Sequence, residues 1–128
     1  MDHNEISSKI IGAAIKIHKA LGPGLLERAY LECLYYELCE MNLNVEKEKP
    51  MALAYEHVRL NIGYRLDLLV NDIVVVEVKS VQCIMSVHKA QLLTYLRLGD
   101  YRLGLLLNFN STLMIDGISR LINGDIYN

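Results

Sequence analysis

The chain has 128 residues, of which 52% are apolar and 22% charged, with a net charge of −2 and four histidines. That length suits one domain, residues 1–128, large enough to bury a single core without disulfides. The charge balance excludes the strongly basic surface of a protein that coats nucleic acid non-specifically.

In chain order, "MDHNEISSK" has neither a basic n-region nor an apolar h-region. No uncharged apolar stretch nears the roughly 18 to 20 residues of a membrane span, so a cytoplasmic protein off the membrane is expected. From Glu5 to Leu21, Ile6, Ile10, Ala14, Ile17 and Leu21 recur at helical steps and predict a helix with one buried stripe, stopped by Gly22 and Pro23. A second helix is predicted from about Leu25 to Met41, with Leu26, Tyr30, Cys33 or Leu34, and Leu38 facing inward. Residues 45–55 read as an extended segment whose Pro50 makes it an edge or bulged strand, turning at Glu56 and His57. "NIGYRLDLLV" and "IVVVEVKS" flank Asn71-Asp72 and predict a hairpin. Ser86 to Leu98 returns to helical spacing, with Ser86 as N-cap, Val87, Ala90, Leu93 and Leu96 as its apolar line, and Gly99 closing it. "YRLGLLLNF" follows as a short strand, and "TLMI" and "ISRLI" around Asp116-Gly117 suggest a terminal hairpin. Cysteines 33, 39 and 83 have no C-x-x-C spacing, so reduced, buried thiols are expected rather than a disulfide framework or a zinc site.

"IVVVEVKS" poses the chemical question. Strand side chains alternate, so Glu77 and Lys79 share a face with Ile73 and Val75. Buried charge needs a partner, a metal or a water-filled cleft. Pairing through Asn71-Asp72 puts Asp67 roughly across from Glu77, with an offset that depends on register, and two adjacent carboxylates hold either a proton or a cation between them. Hard divalent ions take such oxygen ligands, and magnesium needs only one or two carboxylates beside its waters. With Lys79 one pleat further along, the set reads as a metal site for phosphodiester hydrolysis, with Asp67, Glu77 and Lys79 as its catalytic residues and Mg2+ or Mn2+ as its cofactor.

The same residues resemble a known family. Asp67 with Glu77-Val78-Lys79 matches the D…E-x-K signature of the PD-(D/E)XK nuclease superfamily, although Leu66 stands where the superfamily name puts a proline. Gln91-Leu-Leu-Thr-Tyr95 is similar to the Q-x-x-x-Y helix motif of its exonuclease-like branch, and "GLLERAY" resembles the G-x-x-E-x-x-Y label of one of its small families. The resemblance implies an α/β, restriction-endonuclease-like core, a mixed sheet flanked by helices in the order α-α-β-β-β-α-β plus the C-terminal hairpin. It implies Glu27, Asp67 and Glu77 as metal ligands, with Gln91, Tyr95 and Tyr30 positioning the substrate. The expected partner is nucleic acid, DNA ahead of RNA.

Other residues offer less. His18 and His88 sit on helix flanks, where packing roles are common, and Lys16, Lys19, Arg65, Lys89 and Arg97 would together offset an acidic site. Two further readings stand beside the nuclease. One is a catalytically inactive nuclease fold that binds nucleic acid or assembles with protein, favoured by the acidic balance and small size. The other is a structural homo-oligomer built on a greasy surface, for which the mean hydropathy of +0.21 leaves room.

Overall fold

The computed structural model describes residues 1–126, so the last two residues of the expected unit lie outside the described residues. Helix α1 (His3–Leu21) starts where Asp2 accepts the Glu5 amide at 2.8 Å and ends at Gly22, whose φ of 70° suits glycine. Ile6, Ile10, Ala14 and Ile17 form its buried stripe as expected, while Leu21 is 45% exposed. Helix α2 (Glu27–Glu40) begins later than the spacing predicts and buries Tyr30, Leu31, Leu34 and Leu38. Leu26, expected inside, caps the helix from solvent.

Strands β1 (Val45–Tyr55), β2 (Val58–Val70), β3 (Val74–Lys79), β4 (Leu103–Asn108) and β5 (Ile118–Ile122) form one sheet in the order β1-β2-β3-β4-β5. β1, with Pro50, lies at the edge, as a strand with a missing donor must. It pairs antiparallel with β2 around Glu56 and His57, and β2 turns into β3 through Asn71 and Asp72, at φ 51° and 61°. Asn and Asp tolerate these positive φ values, and the Ile73 amide closes the turn on the Val70 carbonyl at 3.1 Å. Because Val70 pairs with Val74, the connection is three residues, 71–73, rather than the expected two. β3 and β4 run parallel, joined over one face by helix α3 (Ser86–Gly99).

The sheet is covered on both sides. Val74, Val76 and Val78 pack with Leu103, Leu105 and Leu107 under α1 and α2. Val75 and Leu106 face α3 with Leu66 and Leu69. The buried line of α3 is Leu92, Tyr95 and Leu96 rather than Val87, Ala90, Leu93 and Leu96; Val87 is 64% exposed. Met85, not Ser86, is its N-cap, because the His88 ring accepts the Met85 amide at 2.9 Å. At the other end Asp100 takes the left-handed conformation, while Gly99 is the last helical residue, where a side chain would strike the Tyr101 ring.

The terminal hairpin does not form. "TLMI" leads into a 3₁₀ turn over Met114–Gly117, and Ile118–Ile122 joins the outer edge of β4 instead. Gly117 is there for a close approach: a Cβ would collide with the carbonyl oxygen of Asn108. Gly117→Ala is therefore expected to cost about 2 kcal/mol, read as a lower melting temperature, since backbone rather than a flexible side chain blocks the methyl group.

Cys33, Cys39 and Cys83 are free, but Cys39 and Cys83 are exposed, against the expectation that all three are buried. Cys39 follows Leu38 one step around α2 and so falls off its inward stripe. No helix among the described residues is long and apolar enough to cross a membrane.

Candidate active site

The β2–β3 ladder pairs Val70 with Val74, Leu69 with Val75 and Leu68 with Val76, and stops there. The next position is Asp67 beside Glu77. In place of ladder bonds, the Asp67 amide donates to Glu77 Oε1 at 3.2 Å and the Val78 amide donates to Asp67 Oδ2 at 2.8 Å. Each carboxyl thus holds the main chain of the opposite strand, satisfying amides that the splaying strands leave behind. Asp67 Oδ1 and Glu77 Oε2 remain for a proton or a cation.

The surroundings are dry. Leu66 packs on the α3 side and Leu68 on the other, so the chain turns over at Asp67. Glu77 is 5% exposed. Burial pushes its carboxyl up to about 9, and the neighbouring charge of Asp67 adds to the rise. Burial raises Asp67 too, against the Val78 amide, which favours its ionised form. A hydrogen bond between the two side chains favours the proton on Glu77 and the charge on Asp67. Lys79, half-buried at the end of β3, lowers both through its charge.

The segments around the pair are tied down. The Phe109 amide donates to the Lys79 carbonyl at 2.9 Å, continuing the β3–β4 pairing past the lysine. The Asn108 side chain accepts the Val81 amide at 3.1 Å and donates to its carbonyl at 3.0 Å, fixing the chain beyond Lys79. Ser80 donates to the Leu25 carbonyl at 2.7 Å, which links that chain to the approach to α2. Tyr30, fully buried, donates to the Gly22 carbonyl at 2.5 Å, accepts the Leu25 amide at 3.1 Å and stacks on Phe109 with centroids 4.6 Å apart. Its hydroxyl is committed to the loop before α2.

Asp67, Glu77 and Lys79 therefore come together. Glu27 stands exposed as the first residue of α2, and no group of three acidic, histidine or cysteine side chains able to hold a metal occurs among the described residues. Tyr95 is buried beside the pair; burial raises its hydroxyl and the charge of Glu77 adds to it. Gln91 is exposed one turn before it and lines an adjoining cleft. His18 Nε2 donates to the Ser111 carbonyl at 2.8 Å, and His88 serves its own helix cap. Of the scattered bases, Lys16 pairs with Glu37 at 3.0 Å.

Sequence reasoning passed over Glu48 and Asn108. The β1–β2 register steps over Glu48 opposite Asp67, and Glu48 adopts a φ of 54° there. Its carboxylate is held at 2.6 Å by Arg28, which lowers its pKa, and its charge raises that of Asp67. The "EKEK" alternation hides it among solvated charges, whereas only the register reveals its place.

A mixed five-stranded sheet between helical layers, with two carboxyls and a lysine gathered where its strands part, defines a restriction-endonuclease-like α/β protein. A family model of the PD-(D/E)XK nuclease superfamily matches residues 4–121. The chain belongs to that superfamily, and its class of function is nuclease-type. No curated protein and no solved structure matches it.

Two hydrogen-bonded acids, each also holding a main-chain amide, suit a hard divalent ion in place of their shared proton, since such an ion takes one or two carboxylates and completes its shell with water. The dry surroundings that raise both pKa values also reward a cation that replaces the shared proton.

Proposed function

We propose that the chain is a divalent-metal-dependent nuclease cutting nucleic-acid phosphodiester bonds, with DNA ahead of RNA. The observation that carries this reading is the buried carboxyl pair, each side chain fastened by one oxygen to the main chain of the opposite strand and the two hydrogen-bonded to each other. Magnesium or manganese held there would supply Lewis-acid activation of a water and of the phosphate. Asp67 and Glu77 hold the ion, and their anchored geometry removes reorganisation cost during the reaction. Lys79 orients the attacking water and offsets charge developing on the phosphate oxygens. Glu27 joins from the start of α2, Gln91 and Tyr95 position the substrate, and Tyr30 acts on it indirectly, by fixing the loop that leads to Glu27. The "GLLERAY" segment supports placing the chain in the GxxExxY branch, with residues 1–128 as one functional unit in the cytoplasm. The exposed apolar side chains of Leu21, Leu25, Leu26 and Tyr36 support self-association, which sedimentation equilibrium tests.

Labelled oligonucleotides incubated with the chain test the activity. Cleavage in magnesium or manganese and none in EDTA is the expected result; cleavage indifferent to EDTA, or none with either ion, contradicts it. A binding module without turnover is favoured by one observation, that no third ligand joins the pair among the described residues. Metal binding without cleavage would identify that case.

A further inference from the structure

We propose that the cleft between the long β1–β2 arm and α3 is a nucleobase subsite with Tyr64 as its stacking platform, and that the substrate is single-stranded. The substrate class rests on the nuclease reading; the subsite rests on its own geometry.

Tyr64 lies on the outer part of β2 and is 38% exposed, while Tyr95 behind it is 7% exposed. Their ring centroids are 6.1 Å apart and the planes are tilted by 60°, so the buried ring braces the open one. The cleft they share holds about 260 Å³, with apolar walls from Leu53 and Leu98 and polar groups from Gln91 and Thr94. An aromatic face, aliphatic walls and an amide beside a hydroxyl are what one base presents partners for: a π-surface and a hydrogen-bonding edge.

Tyr64 also lines a second cleft, which contains Arg59, Asn61 and Arg65, and both arginines are exposed. A strand crossing Tyr64 would therefore set a base against α3 and its phosphates toward the arginines. Tyr95 packs with Leu66, the chain neighbour of Asp67, which places the subsite next to the acid pair.

A base stacked on a side chain has left the duplex stack, at a cost that is least when the strand is already single. With a net charge of −2, the chain also lacks the broad basic surface that grips duplex phosphates. Both considerations point to a single strand.

The test is fluorescence anisotropy of the full chain in EDTA with a labelled short oligothymidylate, its abasic counterpart and a duplex. The oligothymidylate is expected to bind most tightly. Tyr64→Ala should weaken it about tenfold or more, with Tyr64→Phe near the parent. Circular dichroism checks that each variant is folded. Because the chain has no tryptophan, Tyr64→Trp supplies a single reporter that oligothymidylate should quench and the abasic strand should not. Equal affinity for all three nucleic acids, unchanged binding by folded Tyr64→Ala, or no quenching overturns the subsite. Cleavage of the same oligonucleotide in magnesium separates the two readings. Cleavage without dependence on Tyr64 removes the subsite alone, and Tyr64-dependent binding without cleavage removes the nuclease and leaves the subsite.

Discussion

Glu77→Ala and Lys79→Ala should each lower magnesium-dependent cleavage by about 10³-fold or more, which is about 4 kcal/mol of transition-state stabilisation. The two losses have different origins. Glu77→Ala removes a proposed cation ligand and leaves the Asp67 amide without its acceptor, so metal affinity should fall with the rate. Lys79→Ala leaves both carboxyls in place, so metal binding persists and only the chemical step fails. Calorimetry with manganese beside single-turnover cleavage distinguishes these patterns. The double variant should be no worse than about the weaker single one, because residues that act as a unit are not additive. Robust cutting by the double variant would refute the assignment.

The second large effect is on stability. Without a divalent ion, Glu77 titrates near 9 in the folded chain because burial and Asp67 disfavour its charge, whereas in the unfolded chain it titrates near the ordinary glutamate value of about 4.3. Between those values the native state keeps a proton that the unfolded state has released. The unfolded state therefore gains as pH rises, and stability falls across that window. The loss should amount to a few kcal/mol, visible as a melting temperature about 10 °C lower at pH 8.5 than at pH 5.5. Glu77→Gln carries no titrating proton and should flatten this slope, with a higher melting temperature than the parent at pH 8.5. Magnesium should raise the parent's melting temperature at pH 8.5 and leave Glu77→Gln nearly unmoved, since only the parent exchanges its proton for the ion. A parent whose stability rises from pH 5.5 to 8.5 in EDTA would contradict the shared-proton pair.

The hairpin carrying Asp67 and Glu77 was legible because both signals are local: period-two alternation and a two-residue Asn-Asp turn. Those signals set the two acids roughly across from each other, while the register that aligns them depends on Ile73 as a third residue of the connection, and the stripes of α1 and most of α2 follow from the same kind of pattern. The motif resemblance extended that to the sheet and its helices. What the sequence hid is non-local. The end of the ladder at Leu68 and Val76, and the carboxyls that replace its bonds, depend on how two strands diverge in space. Glu48 comes beside Asp67 only through the β1–β2 register. Asn108 looks like any strand-end asparagine until the chain beyond Lys79 folds over it. Asp116-Gly117 reads as a turn pair by composition, but Gly117 answers a backbone contact with Asn108, and the residues after it find an open sheet edge to pair with. On α3 several apolar residues compete for the inward line, and the contact with Leu66, Val75 and Leu106 decides it for Leu92, Tyr95 and Leu96.

Glu27 marks the boundary between motif and geometry. It begins α2 at a point that Tyr30 and Ser80 fix through Gly22 and Leu25. Those bonds tie the loop before Glu27 to the chain just beyond Lys79.

Crystals soaked in manganese and measured at the manganese absorption edge test the metal site itself. The expected map has one anomalous peak between Asp67 Oδ1 and Glu77 Oε2, with metal–oxygen distances of about 2.1 to 2.2 Å, absent from Glu77→Gln crystals. Manganese bound elsewhere with that cleft empty, or a peak that survives in Glu77→Gln, would show that these two carboxyls do not hold the ion.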